Sequence, residues 1–299
     1  MHICRLCPRN CGVDRDVSRG FCGVGWNIKI ARAALHMWEE PIISDSTGAG
    51  TVFFSGCPMK CVFCQNRDIS LTGFGEEISP ERLTDIFFEL EEKGANNIDL
   101  VTPTHFAPQI AECMAMAKAR GLKIPFVWNS DGYELPDTLK ILEDLVDIYM
   151  PDFKFMNGAL SKKYAGIENY SEVAKEALRE MVRQQPETVI EGSLLKKGVL
   201  VRHMLMPGCL IDSKRVIRYL WTEYGNGIYM SIMNQYTPCS SFPAMPELER
   251  KVTAEEYGSL VDYAAGLGIT KAFIQDDETQ EQSFIPQFDL EGVLKNESV

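Results

Sequence analysis

The regular alternation of strand-like and helix-like segments from residue 50 onward constrains the fold of this chain more than any other feature. Short apolar runs predict strands, and apolar residues three and four positions apart predict helices. The predicted strands are 50–54, 97–102, 124–129, 147–152, 198–206 and 227–233, with 271–275 as a late edge strand. The predicted helices are 79–94, 108–120, 136–145, 172–184, 213–224 and 254–266. This order predicts an α/β fold with parallel strands joined by right-handed crossovers.

Polar residues end or directly follow most of the predicted strands, and the fifth strand itself contributes two. The carboxyl ends of parallel strands meet at one edge of a sheet, and in a barrel that edge carries the chemistry. We therefore expect these side chains to collect in one site, although each of them alone is also explained as a turn or capping residue. The element order itself allows either a barrel or an open, doubly wound sheet. The residues concerned are Thr102, Thr104, Asn129, Ser130, Asp152, Lys154, Arg202 and His203.

Composition excludes several classes of protein. The net charge of -12 disfavours a nucleic-acid partner, because nucleic acids select basic surfaces. No apolar run approaches the roughly 18 residues of a membrane span, and the N-terminus lacks the apolar core of a signal peptide. Ten cysteines, seven of them within the first 64 residues, indicate metal ligands in a reducing compartment rather than disulfides. We expect a cytoplasmic protein that binds neither membranes nor nucleic acid.

Three cysteines lie on one short loop directly after the first predicted strand: Cys57, Cys61 and Cys64. A 4Fe-4S cluster that only transfers electrons has four protein ligands, so three thiolates leave one iron free. An open coordination position indicates catalysis, as it does in other metal sites. The alternatives are a structural zinc site that lacks one ligand, or buried thiols that bind nothing. The absence of a second C-x2-C pair nearby and the glycine and proline in the loop disfavour both.

The spacing C-x3-C-x2-C, with Phe63 directly before the third cysteine, resembles the signature of the radical S-adenosylmethionine (SAM) superfamily. From Cys4 to Gln275 the chain is similar to the pyruvate formate-lyase activating enzyme branch, and within it to relatives with an N-terminal cysteine segment. The resemblance implies a partial (β/α)6 TIM-like barrel over residues 49–275. Residues 1–48 would then form a small cysteine-rich metal-binding segment and connector, and residues 276–299 a polar tail.

The same resemblance implies the ligands of the site. Met150, Asp152 and Lys154 match a Met-x-Asp-x-Lys motif that, with the motif after the third strand (Asn129 and Ser130), frames the methionyl end of SAM and a monovalent cation. Asn129 stands where the activating enzymes have aspartate, and Thr102-Pro-Thr104 replaces the usual Gly-Gly-Glu. Phe63 packs either beside the adenine or in the core. Lys154 and Arg202 suit a carboxylate, and His203 belongs to the same set.

The implied activity is reductive cleavage of SAM by a 4Fe-4S cluster to a 5'-deoxyadenosyl radical that abstracts hydrogen from a substrate. The branch points to a protein backbone glycine in a glycyl radical enzyme, with flavodoxin or ferredoxin as the external one-electron reductant. Two alternatives stay open. The first is radical modification of another peptide or a small metabolite, and the second is a non-catalytic iron-sulfur or zinc protein that no longer cleaves SAM.

A second set of cysteines precedes the barrel, namely Cys4, Cys7, Cys11 and Cys22. Four thiolates suit a tetrahedral zinc ion or an auxiliary 4Fe-4S cluster, and the spacing does not decide between them. A metal-free thiol cluster is disfavoured because so short a segment has little apolar surface for a core of its own. Of the remaining cysteines, Cys113 is expected in the core, and Cys209 and Cys239 follow strands near the site. The segment 36–41 is predicted to be a solvated connector, and the alternative is that it covers the cluster end.

Overall fold

The computed structural model describes residues 2–275 and 286–295 of the chain, and a mostly parallel sheet forms its centre. The strands are β1 (Lys29–His36), β2 (Ala49–Phe54), β3 (Glu76–Glu77), β4 (Ile98–Val101), β5 (Phe126–Ser130), β6 (Ile148–Pro151), β7 (Val189–Glu191), β8 (Leu194–Met204), β9 (Tyr229–Met233) and β10 (Ala272–Ile274). The helices are α1 (Pro41–Ser44), α2 (Arg67–Ser70), α3 (Pro80–Glu92), α4 (Ala107–Ala119), α5 (Pro136–Leu139), α6 (Gly158–Ala165), α7 (Tyr170–Gln184), α8 (Leu210–Tyr224) and α9 (Ala254–Gly266).

The sheet order confirms the α/β fold with a partial barrel. Strands β2, β4, β5, β6, β8 and β9 are neighbours in that order and run parallel, and β10 adds a further parallel strand beside β9. The other edge is antiparallel, because β1 pairs with β2 and β3 pairs with β1. The predicted six strands and the late edge strand are therefore all present. Because β10 and β3 end the order without pairing with each other, the barrel is open.

Both ends of the chain join this sheet. Strand β1 lies within the segment that the sequence analysis placed before the barrel, yet it pairs with β2 over most of its length. Residues 286–295 of the predicted tail run along β1, where the Ala33 amide donates to the Glu291 carbonyl at 2.8 Å and Val293 is fully buried. The rest of the predicted tail, residues 276–285 and 296–299, lies outside the described residues.

Local sequence signals explain the helices that border the sheet. Helix α3 begins with Pro80 after the N-cap Ser79, whose hydroxyl accepts a hydrogen bond from the Arg82 amide. It buries Leu83, Ile86, Phe87 and Leu90, as their spacing predicted. The helix predicted over 136–145 is shorter, because α5 ends at Leu139 and continues only as a 3-10 turn over 140–142. Helix α6 and strand β7 were not predicted.

Alternation along each strand separates two surfaces of the sheet. Residues such as Leu100, Trp128 and Val201 pack with the surrounding helices in the large outer core. Their neighbours, including Val127, Ile148, Met150 and Leu200, form a small separate core on the inner face. On each strand, the side chain two residues after one of these inner-core residues lies on the same face but nearer the carboxyl end. This geometry decides which polar residues can enter a site there.

Among the described residues, none of the helices has the length and apolar character that crossing a bilayer requires.

Candidate functional site

A cavity of about 240 Å³ opens at the carboxyl ends of the parallel strands. All three cysteines of the loop after β2 line it, so the structure brings Cys57, Cys61 and Cys64 together. Other sequence-predicted residues line it as well: Phe63, Thr102, Asn129, Ser130, Asp152, Lys154 and Arg202. The side chains expected to gather from separate strands therefore do share one cavity with the thiols.

The cysteine loop approaches other backbone segments closely. Gly56 has a φ of +86°, and a Cβ atom there would lie 2.8 Å from the Cys22 carbonyl oxygen, so only glycine fits. Hydrogen-bond donors face two of the sulfurs. The Met59 amide lies 3.4 Å from Cys57 Sγ, and the Ser70 hydroxyl lies 3.2 Å from Cys64 Sγ. Such donors stabilise thiolates, which is the form that binds metals.

Burial of the three thiols disfavours their thiolate form. It raises the pKa of Cys57 well above the ordinary value and the pKa of Cys61 to about 12. Burial also raises the pKa of Cys64, while Ser70 and Lys154 oppose that change. The metal-free site therefore holds neutral thiols, and metal binding has to release their protons.

A network of charged side chains lies beside the thiols. The Arg202 Nε donates to Asp152 Oδ1 at 3.0 Å, and the Lys154 ammonium donates to Asp152 Oδ2. Although burial opposes ionisation, Lys154 and Arg202 hold the pKa of Asp152 below its usual value. Asp152 in turn outweighs burial and raises the pKa values of Lys154 and Arg202. All three groups are therefore ionised inside the protein.

Arg202 also binds the residues predicted to hold a cation. Its Nη2 donates to Asn129 Oδ1 at 2.7 Å, and its Nη1 donates to Glu39 Oε2 at 3.2 Å. The guanidinium thus donates hydrogen bonds to side-chain oxygen atoms of both Asn129 and Asp152. Glu39 and the buried Glu40 line the cavity, so the segment 36–41 agrees with the predicted cover at the cluster end better than with a purely solvated connector. No local pattern in the sequence indicated this contact, because it joins residues 163 positions apart.

Three predicted SAM contacts do not line the cavity, namely Thr104, Met150 and His203. Met150 belongs to the apolar core on the inner face, below Asp152. His203 follows Arg202 on β8 and therefore points to the opposite face, where its Nδ1 lies 2.7 Å from the Phe153 carbonyl oxygen. Thr104 lies in the turn after β4 and donates to Glu134 at 2.8 Å.

Glu134 supports the cavity wall from behind. Its carboxylate accepts hydrogen bonds from Thr104, from Ser130 and, at 2.9 Å, from the Trp128 indole. It is fully buried, and burial raises its pKa to about 7. Glu134 was not predicted as a site residue, although its place shortly after the end of a predicted strand is a signal for one. Its role is to fix the side chains of β5 that border the cavity.

Asp131 is a second residue that the sequence analysis did not select. Its Oδ2 lies 3.6 Å from Cys57 Sγ, and its Oδ1 accepts from the Tyr133 amide at 2.9 Å. Burial raises the pKa of Asp131 to about 6. Asp131 lines the cavity on the side that faces the N-terminal segment.

The N-terminal cysteines gather in a segment that packs on the cysteine loop. Cys4, Cys7 and Cys22 are buried, Cys11 is partly exposed, and none of the four forms a disulfide. A Cβ atom at Gly20 would lie 3.3 Å from Cys22 Sγ and 3.5 Å from Cys11 Sγ, so these thiols flank the same glycine. Within residues 2–275 and 286–295, no three His, Cys, Asp or Glu side chains are arranged to hold a single metal ion.

Arg9 links this segment to the cysteine loop. Its guanidinium donates to the carbonyls of Pro58 at 2.8 Å and Met59 at 3.3 Å, both within the loop. It also donates to the carbonyls of Ala165 and Gly166 at the end of α6. One side chain therefore joins three parts of the chain around the site.

The remaining three cysteines are not among the residues that line the cavity. Cys113 is fully buried in α4 and donates to the Pro80 carbonyl at 3.4 Å, as expected of a core residue. Cys209 is buried and Cys239 is partly exposed, and neither lines the cavity.

Comparison with known proteins supports the same fold. The chain is 28% identical over 273 residues to the uncharacterized protein MJ0674 of Methanocaldococcus jannaschii, an alignment that covers 87% of this chain and 74% of the relative.

The structure is similar to SuiB of Streptococcus suis bound to precursor peptide SuiA, with a TM-score of 0.51, 11% identity and coverage of 74% of this chain and 46% of SuiB. It is also similar to a radical SAM methyltransferase from Sphaerobacter thermophilus, with a TM-score of 0.50, 16% identity and coverage of 76% and 66%. The chain spans about half the length of SuiB and about two thirds of the methyltransferase.

A family model matches residues 51–208, more than half of the chain, and that segment contains the cysteine loop and most of the strand ends at the cavity. The protein therefore belongs to the radical SAM superfamily.

Proposed function

We propose that this protein cleaves SAM reductively and abstracts a hydrogen atom from the backbone of a glycine in a polypeptide. One observation carries the first part. Cys57, Cys61 and Cys64 line the same cavity as the ionised groups of Asp152, Lys154 and Arg202. Thiols suited to a cluster and charges suited to a zwitterionic ligand thus meet in one place.

The residues fit the group that the superfamily implies. Three thiols and no fourth protein ligand from the loop match a 4Fe-4S cluster with one open iron, so Cys57, Cys61 and Cys64 would hold it. When bound, the cluster supplies the electron that breaks a carbon-sulfur bond of SAM and generates the 5'-deoxyadenosyl radical. Orientation of SAM and exclusion of competing reactions depend on the protein.

The charged network supplies that orientation. Lys154 and Arg202 present cationic groups that suit the carboxylate of SAM, while Asp152 fixes both of them by ion pairs. Phe63 borders the cavity beside Phe155, Tyr164 and Tyr236, with ring centroids 6.2 to 6.5 Å away. This aromatic group gives an apolar surface against which an adenine can pack.

The similarity of Met150, Asp152 and Lys154 to the motif of the activating enzymes supports a polypeptide glycine as the substrate, because that branch acts on a protein backbone glycine. A glycine in an extended backbone has no side chain, so its Cα can approach a buried site closely.

Deuterium transfer tests the substrate class. Reduced, cluster-loaded protein is incubated with SAM and candidate polypeptides that carry deuterium at glycine Cα, and 5'-deoxyadenosine is analysed by mass spectrometry. The proposal predicts deuterium in 5'-deoxyadenosine only with a polypeptide, and none with a C61S variant. Transfer only from small metabolites would replace the glycine assignment, while absence of 5'-deoxyadenosine from a fully loaded sample would overturn SAM cleavage itself.

A further inference from the structure

The N-terminal cysteine segment lies directly against the loop that carries Cys57, Cys61 and Cys64. We propose that Cys4, Cys7, Cys11 and Cys22 bind a second iron-sulfur cluster, through which electrons from an external carrier reach the cavity. This inference rests on the proposed function in one respect, because it requires the cysteine loop to hold a cluster that accepts the electron.

A backbone hydrogen bond joins the two cysteine sets. The Cys57 amide donates to the Cys22 carbonyl at 3.3 Å. The approach is so close that the neighbouring Gly56 has no room for a Cβ atom against the same carbonyl. A ligand of one site is therefore one hydrogen bond away from a ligand of the other, which places the two sites in direct contact.

Asp131 and Tyr133 connect the cysteine loop with the N-terminal segment. The Asp131 carboxyl oxygen is 3.6 Å from Cys57 Sγ. Tyr133 continues this contact, because its amide donates to Asp131 and its ring lies 5.8 Å from the Arg9 guanidinium. These contacts form a second connection between the two sites, beside the backbone hydrogen bond of Cys57.

Arg9 fixes the separation of the two sites. It lies between Cys7 and Cys11 in the sequence and donates to the carbonyls of Pro58 and Met59 between Cys57 and Cys61. Its guanidinium also lies 3.9 Å from the centre of the Phe21 ring, next to Cys22. A rigid, short connection is what electron transfer between two centres needs, whereas a remote structural metal has no use for it.

Four thiolates suit a 4Fe-4S cluster as well as a single zinc ion, so the ligand type alone does not choose between them. The direct contact with the cysteine loop makes the choice, because a relay needs its donor centre close to the acceptor.

The surface charge of the segment fits an acidic electron carrier. Residues 1–29 contain five lysines and arginines but only two acidic residues, in a chain whose net charge is -12, and of the five only Arg15 is buried. Arg5, Arg19 and Phe21 are exposed, and the Lys60 ammonium lies 5.3 Å from the centre of the Phe21 ring. A basic surface with an exposed aromatic residue would steer an acidic one-electron carrier protein toward this side.

The step transfers electrons only. The reduced carrier protein loses one electron to the N-terminal cluster, which passes it on to the cluster in the cavity and returns to its oxidised state. No covalent bond forms or breaks in the relay, and no proton is required.

Metal counts on the full-length protein, purified and reconstituted without oxygen, test the site. We expect about eight iron atoms and eight sulfides per chain, and about four of each in a C11S variant. Cys11 is the most exposed of the four cysteines, so its substitution disturbs packing least. A C113A variant is the matched control and should keep the wild-type count. About four irons with one zinc in the wild-type protein would overturn the inference.

A rate comparison tests the relay. SAM cleavage is measured with reduced flavodoxin and, separately, with titanium(III) citrate, a small reductant that needs no docking surface. The ratio of the flavodoxin rate to the titanium rate should fall by roughly tenfold or more in C11S but not in C113A. An unchanged ratio would overturn the relay. If the loaded wild-type protein cleaves no SAM with titanium, the proposed function fails, whereas the iron count still decides the N-terminal site.

Discussion

The two cysteine regions use the same ligand type but are built in different ways. The loop with Cys57, Cys61 and Cys64 extends from β2 and opens into a cavity of ionised side chains from β6 and β8. The N-terminal cysteines lie in turns, and long-range contacts such as those of Arg9 hold them against the loop. The cysteine loop therefore depends on charged side chains that the sheet supplies. The N-terminal cysteines depend on contacts between residues that are distant in the sequence.

The largest stability effect should come from removing the charge at the centre of the cavity. In R202L the carboxylates of Asp152 and Glu39 would lose their shared partner, and breaking a buried ion pair costs about 3–5 kcal/mol. R202K should lose less, because it keeps the charge but not the forked geometry. Urea unfolding of the reduced, metal-free protein measures both. R218L is the control, since exposed Arg218 contacts only the Tyr263 hydroxyl among the described side chains. Equal losses in R202L and R218L would show that the network does not stabilise the cavity.

Removing Arg9 should lower the free energy of unfolding by a smaller amount, and it should also weaken iron binding in the cysteine loop. R9A deletes charged hydrogen bonds to the loop and to α6, and we expect a loss of about 2–3 kcal/mol. Iron should also leave the cysteine loop faster when a chelator is added, because the loop is less well fixed. R5A changes an exposed arginine of the same segment and serves as the control. If R9A releases iron no faster than R5A, the segment does not hold the loop.

The pH dependence of stability tests the wall behind the cavity. Burial raises the pKa of Glu134 from 4.5 to about 7, so the folded protein binds this proton more tightly than the unfolded chain. Its contribution is fully present below about pH 4.5 and is lost as the pH rises through 7, by about 2 kcal/mol between pH 5 and pH 7. An E134Q variant should lack this part of the decline, as measured by urea unfolding across that range. Exposed Glu92 supplies the control E92Q. Parallel stability curves for wild type and E134Q would contradict the raised pKa.

Local signals in the sequence predicted much of the fold. The strands and helices of the barrel followed from periodicity, and the start of α3 followed from Ser79 and Pro80, because these depend on neighbouring residues. The pairing of β1 with β2 and the packing of residues 286–295 on β1 did not, because they join distant parts of the chain. Such contacts leave no pattern within a single segment.

The cavity was predictable to a similar extent. The three thiols came from spacing alone, and Asp152, Lys154 and Arg202 came from their place at strand ends. His203 does not line the cavity, because its side chain points to the face of β8 opposite to that of Arg202. Glu39 was beyond reach, since it contacts Arg202 only after β1 has joined the sheet.

Product analysis after a single incubation tests the assignment of the cysteine loop. Full-length protein with its iron content verified is reduced with titanium(III) citrate and mixed with SAM, and 5'-deoxyadenosine and methionine are quantified. We expect both products in equal amounts from the wild-type protein, and neither above background from C61S, because Cys61 is one of only three thiols that line the cavity among the described residues. A fully loaded wild-type protein that forms no 5'-deoxyadenosine would contradict the assignment.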